Sequence, residues 1–259
     1  MKKNLLILLF FFLQVSFSQE NIIIIDYTHH IHMKELPSAT SVDARLTFNH
    51  TASNYEMDFV GNLNFEEEKA GKEGGSVYAI KAKKNPHIFK NFIEKKISSI
   101  ERVSMKPFYV KDTMNLFDWK IDTAKREILG YKCQKAKTHF RGREYIAYFT
   151  LEIPYPTGPW KFYGLPGVIL SIESTDKVFK MNANQIIIKK TNETISNPFD
   201  EIDLKPLTWE SYIKEYEKKY YELKNYRGEN GTTRSLPKKK IETIILETSP
   251  YIKDWFWTL

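Results

Sequence analysis

The chain has one cysteine, Cys133, in 259 residues, so no internal disulfide can brace it. A lone thiol in an oxidising compartment is expected as a small buried apolar residue, because an exposed thiolate would not stay reduced there. The spacings that announce familiar chemistries are absent too: the sequence has no GxSxG, HExxH, CxxC or GxxxxGK[ST]. That removes the nucleophile elbow, the zincin helix, the redox dithiol and the phosphate loop. Lys72 lies among Gly71, Gly74 and Gly75, but in the wrong order to cradle a phosphate; the stretch 64–75 reads as a flexible hairpin tip. Apolar runs are short. Leu5–Leu13 has nine residues, about half of the roughly 20 that a membrane-spanning helix needs.

That run has another meaning. Lys2 and Lys3 precede it and Ser16-Phe17-Ser18 follows it, the order of a secretory signal peptide cleaved after Ser18. The expected product is a single domain, 19–259, with no spanning segment, periplasmic or secreted. Loss of the two lysines takes the formal charge from +7 to +5. A mild basic balance favours anionic surfaces, while export excludes nucleic acid as the partner.

Hydrophobic residues make up 42% and charged residues 27% of the chain, a globular composition. Period-two alternation recurs through the β-rich body, about 21–190. Asn21–Met33 reads as a long strand, Val42–His50 and Tyr55–Val60 as a hairpin about a Thr51–Asn54 turn. Val77–Lys83, Phe108–Lys111, Leu116–Ile121 and Lys125–Leu129 read as further strands. Ile88–Ile100 fits a short helix as well as a strand. Tyr131–Ile153 looks like the central hairpin, turning at Arg141-Gly142. Its strands carry apolar residues on both faces, so either a helix or loop covers one side or a sheared barrel or sheet encloses a cavity. Val168–Glu173 and Lys177–Lys190 form the last pair. Leu207–Tyr226 places Trp209, Tyr212, Ile213, Tyr216, Tyr220 and Leu223 at helical spacing, and belongs to a helical and irregular C-terminal part, about 198–259. Lys238–Glu247 fits strand or helix, and the aromatic end Trp255–Leu259 should dock on the body. The fold expected is mainly β (α+β): a curved antiparallel sheet or open barrel-like meander, with one C-terminal amphipathic helix packed on it. An outer-membrane barrel fits less well, since the strands are short and charged on both faces.

The densest punctuation lies between Pro154 and Gly167. Four prolines within thirteen residues stiffen the loop, which either holds Trp160, Phe162 and Tyr163 outward as a rigid platform or plugs the end of the sheet with them. With Tyr145 and Arg143 on the adjoining strand, these are the candidate binding residues. Pro166-Gly167 fits the centre of a type II turn.

Other constellations are weaker. His30 and His32 share a strand face with His29 opposite, so the cluster cannot alone hold a metal and reads as a solvated strand end; no metal and no cofactor is expected. Glu152 with His139, Arg141 and Arg143 is the best general acid/base set available, though arginine and glutamate on a sheet more often pair across strands.

Gly164-Leu165-Pro166-Gly167-Val168-Ile169 resembles the signature of the GLPGLI family of exported bacterial proteins, with Val168 in place of the eponymous leucine. Trp119, Gly130-Tyr131-Lys132-Cys133, Ala136, Arg141-Gly142-Arg143, Tyr145, Ala147, Thr150, Glu152-Ile153-Pro154, Gly158-Pro159 and Lys161-Phe162 extend it. Tyr148-Phe149 departs from the pattern, which has a tryptophan first. The resemblance implies an exported envelope protein and carries no established biochemical function, so no catalytic residue transfers. The function expected is a non-enzymatic binding or assembly module for an apolar ligand, a lipid or a peptide, its partner being such a molecule or another envelope protein. A periplasmic metal-dependent or hydrolytic enzyme is the alternative.

Overall fold

A computed structural model describes residues 20–32, 40–62, 84–104, 106–191, 193–227, 236 and 242. The expected signal segment 1–18, the hairpin tip expected over 64–75, the strand expected over Val77–Lys83, the stretch Lys238–Glu247 apart from Glu242, and the aromatic Trp255–Leu259 lie outside them. The strands are β1 (Glu20–Ile31), β2 (Thr40–Phe48), β3 (Ala52–Met57), β4 (His87–Asn91), β5 (Lys96–Val103), β6 (Lys106–Thr113), β7 (Lys120–Ile128), β8 (Tyr131–Phe140), β9 (Arg143–Thr150), β10 (Val168–Ser174) and β11 (Phe179–Thr191). One turn of helix, α1 (Phe59–Asn62), follows β3, and α2 (Trp209–Asn225) follows β11.

All eleven strands join one antiparallel sheet in the order β6-β5-β4-β3-β2-β1-β11-β10-β9-β8-β7. The chain starts at the centre, steps outward to β6, crosses to the opposite edge at β7, and steps back until β11 pairs with β1. Only residues 114–119 make the crossing. Ten strand spacings of about 4.8 Å would put the edges of a flat sheet about 48 Å apart, whereas such a link reaches roughly 25 Å. The sheet therefore curls until its edges approach, the open barrel-like meander that the alternation predicts.

Alternation decides what faces the inside. Ile23, Ile25, Tyr27 and His29 of β1 lie opposite Phe48, Leu46, Ala44 and Val42 of β2, and all eight are buried. On β9 the inward set is Tyr145, Ala147 and Phe149. Helix α2 starts at an N-cap, Thr208, whose hydroxyl accepts from Ser211 N. Its Trp209, Tyr212, Tyr216 and Tyr220 pack with Val103 and Val110 of β5 and β6, burying the stripe read from the sequence. A second layer, Phe199 stacked on Tyr109 with Ala52 and Phe89, covers the other face of β3 to β6.

Several local expectations change. Ile88–Ile100 is neither one helix nor one strand but the β4–β5 hairpin. The first hairpin turns at 49–51 rather than Thr51–Asn54, because Asn49 Oδ1 accepts from Thr51 N, Thr51 Oγ1 and Ala52 N, closing the chain earlier. Leu116–Trp119 is the irregular crossing rather than strand. The hairpin β8–β9 lies one strand from the β7 edge, and the centre belongs to β1 and β11. Gly167 is not the left-handed residue of a type II turn; among the described glycines φ is positive at Gly130, Gly142 and Gly164. What Gly167 provides is proximity, since a Cβ there would stand 1.9 Å from the carbonyl oxygen of Thr150.

Candidate functional site

The aromatic loop turns inward. Trp160, Phe162 and Tyr163 are buried, so they are not an outward platform in this structure. Phe162 is fully buried and sits 4.9 Å from the Tyr145 ring, 5.4 Å from Trp160 and 5.3 Å from Phe117, centroid to centroid. Phe117 belongs to the crossing segment, so the rings of both connections interlock inside the curled sheet. Two hydrogen bonds fasten them: Trp119 Nε1 donates to Tyr163 O at 2.8 Å, and Leu116 N to Tyr163 Oη at 2.9 Å. The motif 164–169 closes the same assembly. Gly164 N donates to Pro156 O, and Tyr27 Oη donates to Ile169 O at 2.6 Å.

A residue that the sequence did not single out holds this plug in place. Lys90 on β4 is fully buried, and its Nζ donates to the carbonyls of Gly158 and Trp160, both at 2.7 Å, and of Phe162 at 3.3 Å. Three acceptors are the full complement for an ammonium's three N–H bonds. Burial pushes the Lys90 pKa well below that of an ordinary lysine, while carbonyls that can only accept favour the protonated form. Trp160, midway along the clamped segment, has φ 52°. That conformation costs a bulky residue about 1–3 kcal/mol, which the clamp offsets. In the sequence Lys90 is one more polar position on an amphipathic strand, and only its place opposite the loop gives it this role.

Lys161 is held differently. It is buried and donates to Glu101 Oε1 at 2.9 Å and Glu242 Oε2 at 2.7 Å. Burial lowers its pKa, but Glu101 and Glu242 outweigh that and raise it. Arg141, at the β8–β9 turn, pairs with Glu242 and with Asp112 on β6, and its guanidinium lies 3.5 Å from the Trp209 ring centroid. Asp112, Arg141, Glu242, Lys161 and Glu101 thus form a mostly buried chain of alternating charge across the gap between the sheet's two halves.

The acid/base set does not assemble. Arg141 serves that network, and Arg143, also buried, pairs with Asp176. Glu152 is at the far end of the β8–β9 hairpin, accepting from Lys132 N, eight strand residues or about 27 Å of β9 away. His139 is exposed opposite Glu144. Among the described residues no group of three or more histidine, cysteine or acidic side chains could hold a metal. His29 departs from the solvated strand end expected of it: it is buried, neither ring nitrogen has a partner, and burial pushes its pKa down to about 4. Cys133 is buried, and burial raises its thiol to about 11. Two concavities lie elsewhere: about 550 Å³ over Asp26, Asp43, Arg45 and Glu56 on the outer face, and about 370 Å³ beside Lys120, Lys137 and His139.

No family model matches the chain, and no curated protein sequence matches it. Solved structures superpose on it to differing degrees. PNGF-II in a C2 crystal form superposes with a TM-score of 0.52 at 13% identity, over 77% of this chain and 33% of that one. The same protein in a P21 form gives 0.49 at 14%, over 77% and 34%. A domain described as an outer membrane lipoprotein-sorting protein, from Vibrio parahaemolyticus, gives 0.26 at 8%, over 71% and 91%. This chain spans about a third of the length of PNGF-II, and at such identities the likeness is one of fold. Among the described residues no helix is long and apolar enough to cross a membrane.

Proposed function

We propose that this chain is an exported, non-enzymatic module of the GLPGLI kind that works as a filled scaffold, meeting an envelope partner through its outer surface rather than enclosing a ligand. The observation that carries this reading is the plug. The volume that a carrier of this shape would offer an apolar molecule is taken by Trp160, Phe162 and Tyr163, held by Lys90 and by the interlocked Phe117. Of the two roles open to such a module, binding inside or assembly outside, the filled interior favours assembly. The scattering of Glu152, His139 and the arginines leaves the enzymatic alternative without the acid/base set that the sequence offered it. Candidate binding residues Trp160, Phe162, Tyr163, Tyr145 and Arg143 become, on this reading, the supports of the surface.

Titration with a fluorescent fatty acid tests it. No saturable binding is expected from the native protein, and Trp160→Ala should lower stability without creating or abolishing any. Stoichiometric uptake by the native protein, lost in Trp160→Ala while the fold persists, would overturn the reading. Export is checked separately, by recovery in an osmotic-shock fraction with an amino terminus at Gln19.

A further inference from the structure

Two bulges set off one corner of the sheet. Between β1 and β11 the register slips at Asp26/Tyr27 and passes over Asn184; between β9 and β10 it slips at Ile169/Ser171 and passes over Leu170. Both slips fall at the same level of the β10–β11 hairpin, since Ser171 lies opposite Asn182. A bulge interrupts the ladder and bends its strand, so the hairpin tip, 171–183, is a unit hinged at Leu170 and Asn184.

A stack of side chains shuts this tip. His29 of β1 is buried, opposite Val42 of β2 and Met181 of β11, and its ring meets that of Phe179 edge-on at 6.2 Å. The Arg143 guanidinium also lies on Phe179, 5.0 Å from its centroid, and pairs with Asp176 in the β10–β11 turn. Two backbone bonds complete the closure: His32 N donates to Val178 O, and Thr175 N to Glu144 O. Neither ring nitrogen of His29 has a partner. The charged and titratable groups around it are Arg143, Asp176 and Tyr145 toward β9, with His30, Asp43, Glu173 and Lys180 on the outer face of β1, β2, β10 and β11. The acids among them either engage Arg143 or lie on the other face of the sheet, so none meets an imidazolium at His29.

We infer that the β10–β11 tip is an acid-released flap, closed over His29 while the ring is neutral and lifted when the ring takes a proton. In the closed corner burial, and after it His30, lower the His29 pKa from 6.5 to about 4. A lifted flap admits water to the ring and restores its ordinary affinity, so the open form binds the proton more tightly. The closed form therefore has its full advantage above pH 6.5 and loses it as pH falls toward 4. At pH 4.5 the ratio of open to closed should exceed its neutral value by about fiftyfold. Opening uncovers Phe179, Met181 and Val42 at the end of the curled sheet. This goes beyond the scaffold reading, which concerns the closed form.

Amide hydrogen exchange of the protein, expressed as protection factors at pH 7.5 and pH 4.5, tests it. Protection is expected to drop about fiftyfold over 171–183 and 27–31, and to hold in β3 to β5. His29→Phe keeps an aromatic ring without a proton site and should abolish the drop; His30→Asn with His32→Asn should retain it. Unchanged protection at the tip, a drop shared by the whole sheet, or a drop that survives in His29→Phe would overturn the inference, as would its loss in the His30 and His32 variant. Asp176→Asn probes the latch without touching His29. It should lower protection of the tip already at pH 7.5, and native protection there would overturn the flap as drawn.

Discussion

Strand β8 begins and ends in tight turns of one geometry, Leu129-Gly130 with φ 53° and 82°, and Arg141-Gly142 with φ 41° and 81°. Each places a residue with a side chain where glycine or asparagine is at ease. At the second turn the strain has a return within the molecule: Arg141 pairs with Asp112 and Glu242 and covers Trp209. At the first, the leucine faces solvent. The same backbone therefore marks an internal tie at one end of the strand and an exposed apolar side chain at the other.

The largest effect should come from breaking the tie. Arg141→Leu makes the two turns chemically alike, takes from buried Asp112 its described cation and leaves buried Glu242 with Lys161. A loss of about 3–5 kcal/mol is expected, as for a buried pair stripped of one member. Urea denaturation monitored by tryptophan fluorescence measures it. A loss under about 1 kcal/mol would mean that the network is looser than its burial implies and that the two turns do not differ.

Lys90→Met comes next, at about 3 kcal/mol by the same measurement. Three carbonyls lose a charged donor, partly offset by removing a buried charge that has no described carboxylate partner. The alkaline limb separates this lysine from Lys161. The Lys90 pKa is lowered in the folded state, so between that value and the unfolded one, near 10.5, the unfolded chain binds more protons and the group's contribution rises with pH. Lys161 has a raised pKa; its contribution is complete below the unfolded value and is lost as pH climbs through the folded one. Subtracting Lys90→Met and Lys161→Met from the native pH profile should give slopes of opposite sign.

His29 and the Tyr55 hydroxyl are where the described interior departs from the rule that buried polar groups find partners, and His29 is the one that titrates near neutral pH. Its folded pKa, about 4, lies below the unfolded 6.5. Stability should therefore fall as pH drops from 6.5 toward 4, by about 3 kcal/mol in all. His29→Phe should flatten that acid limb. An unchanged limb would show that other groups set the acid sensitivity.

The comparison of turns also shows what a sequence can disclose. Alternation and helical spacing were enough for the sheet, the curl and α2, because burying one face is a local pattern repeated strand by strand. Arg141-Gly142 was legible as a turn. That Leu129 is a turn residue at all was hidden, since an isoleucine-leucine pair reads as the end of a strand. Lys90 and the partners of Arg141 were illegible for another reason. Their roles depend on which distant segment folds opposite them, 29 to 101 residues away along the chain, and no local pattern encodes that. Four prolines imply a stiff loop but leave its direction open, and Lys90 holds it turned inward.

The smallest effect, and one of opposite sign, belongs to Leu129→Asn. Asparagine accepts the left-handed conformation that leucine resists, so the variant should gain stability, up to about 1 kcal/mol in the urea midpoint. An unchanged midpoint would show that the left-handed conformation of Leu129 costs little. Lower stability would be equally telling, because it would mean that the leucine packs within the molecule and that the two turns are both internal ties.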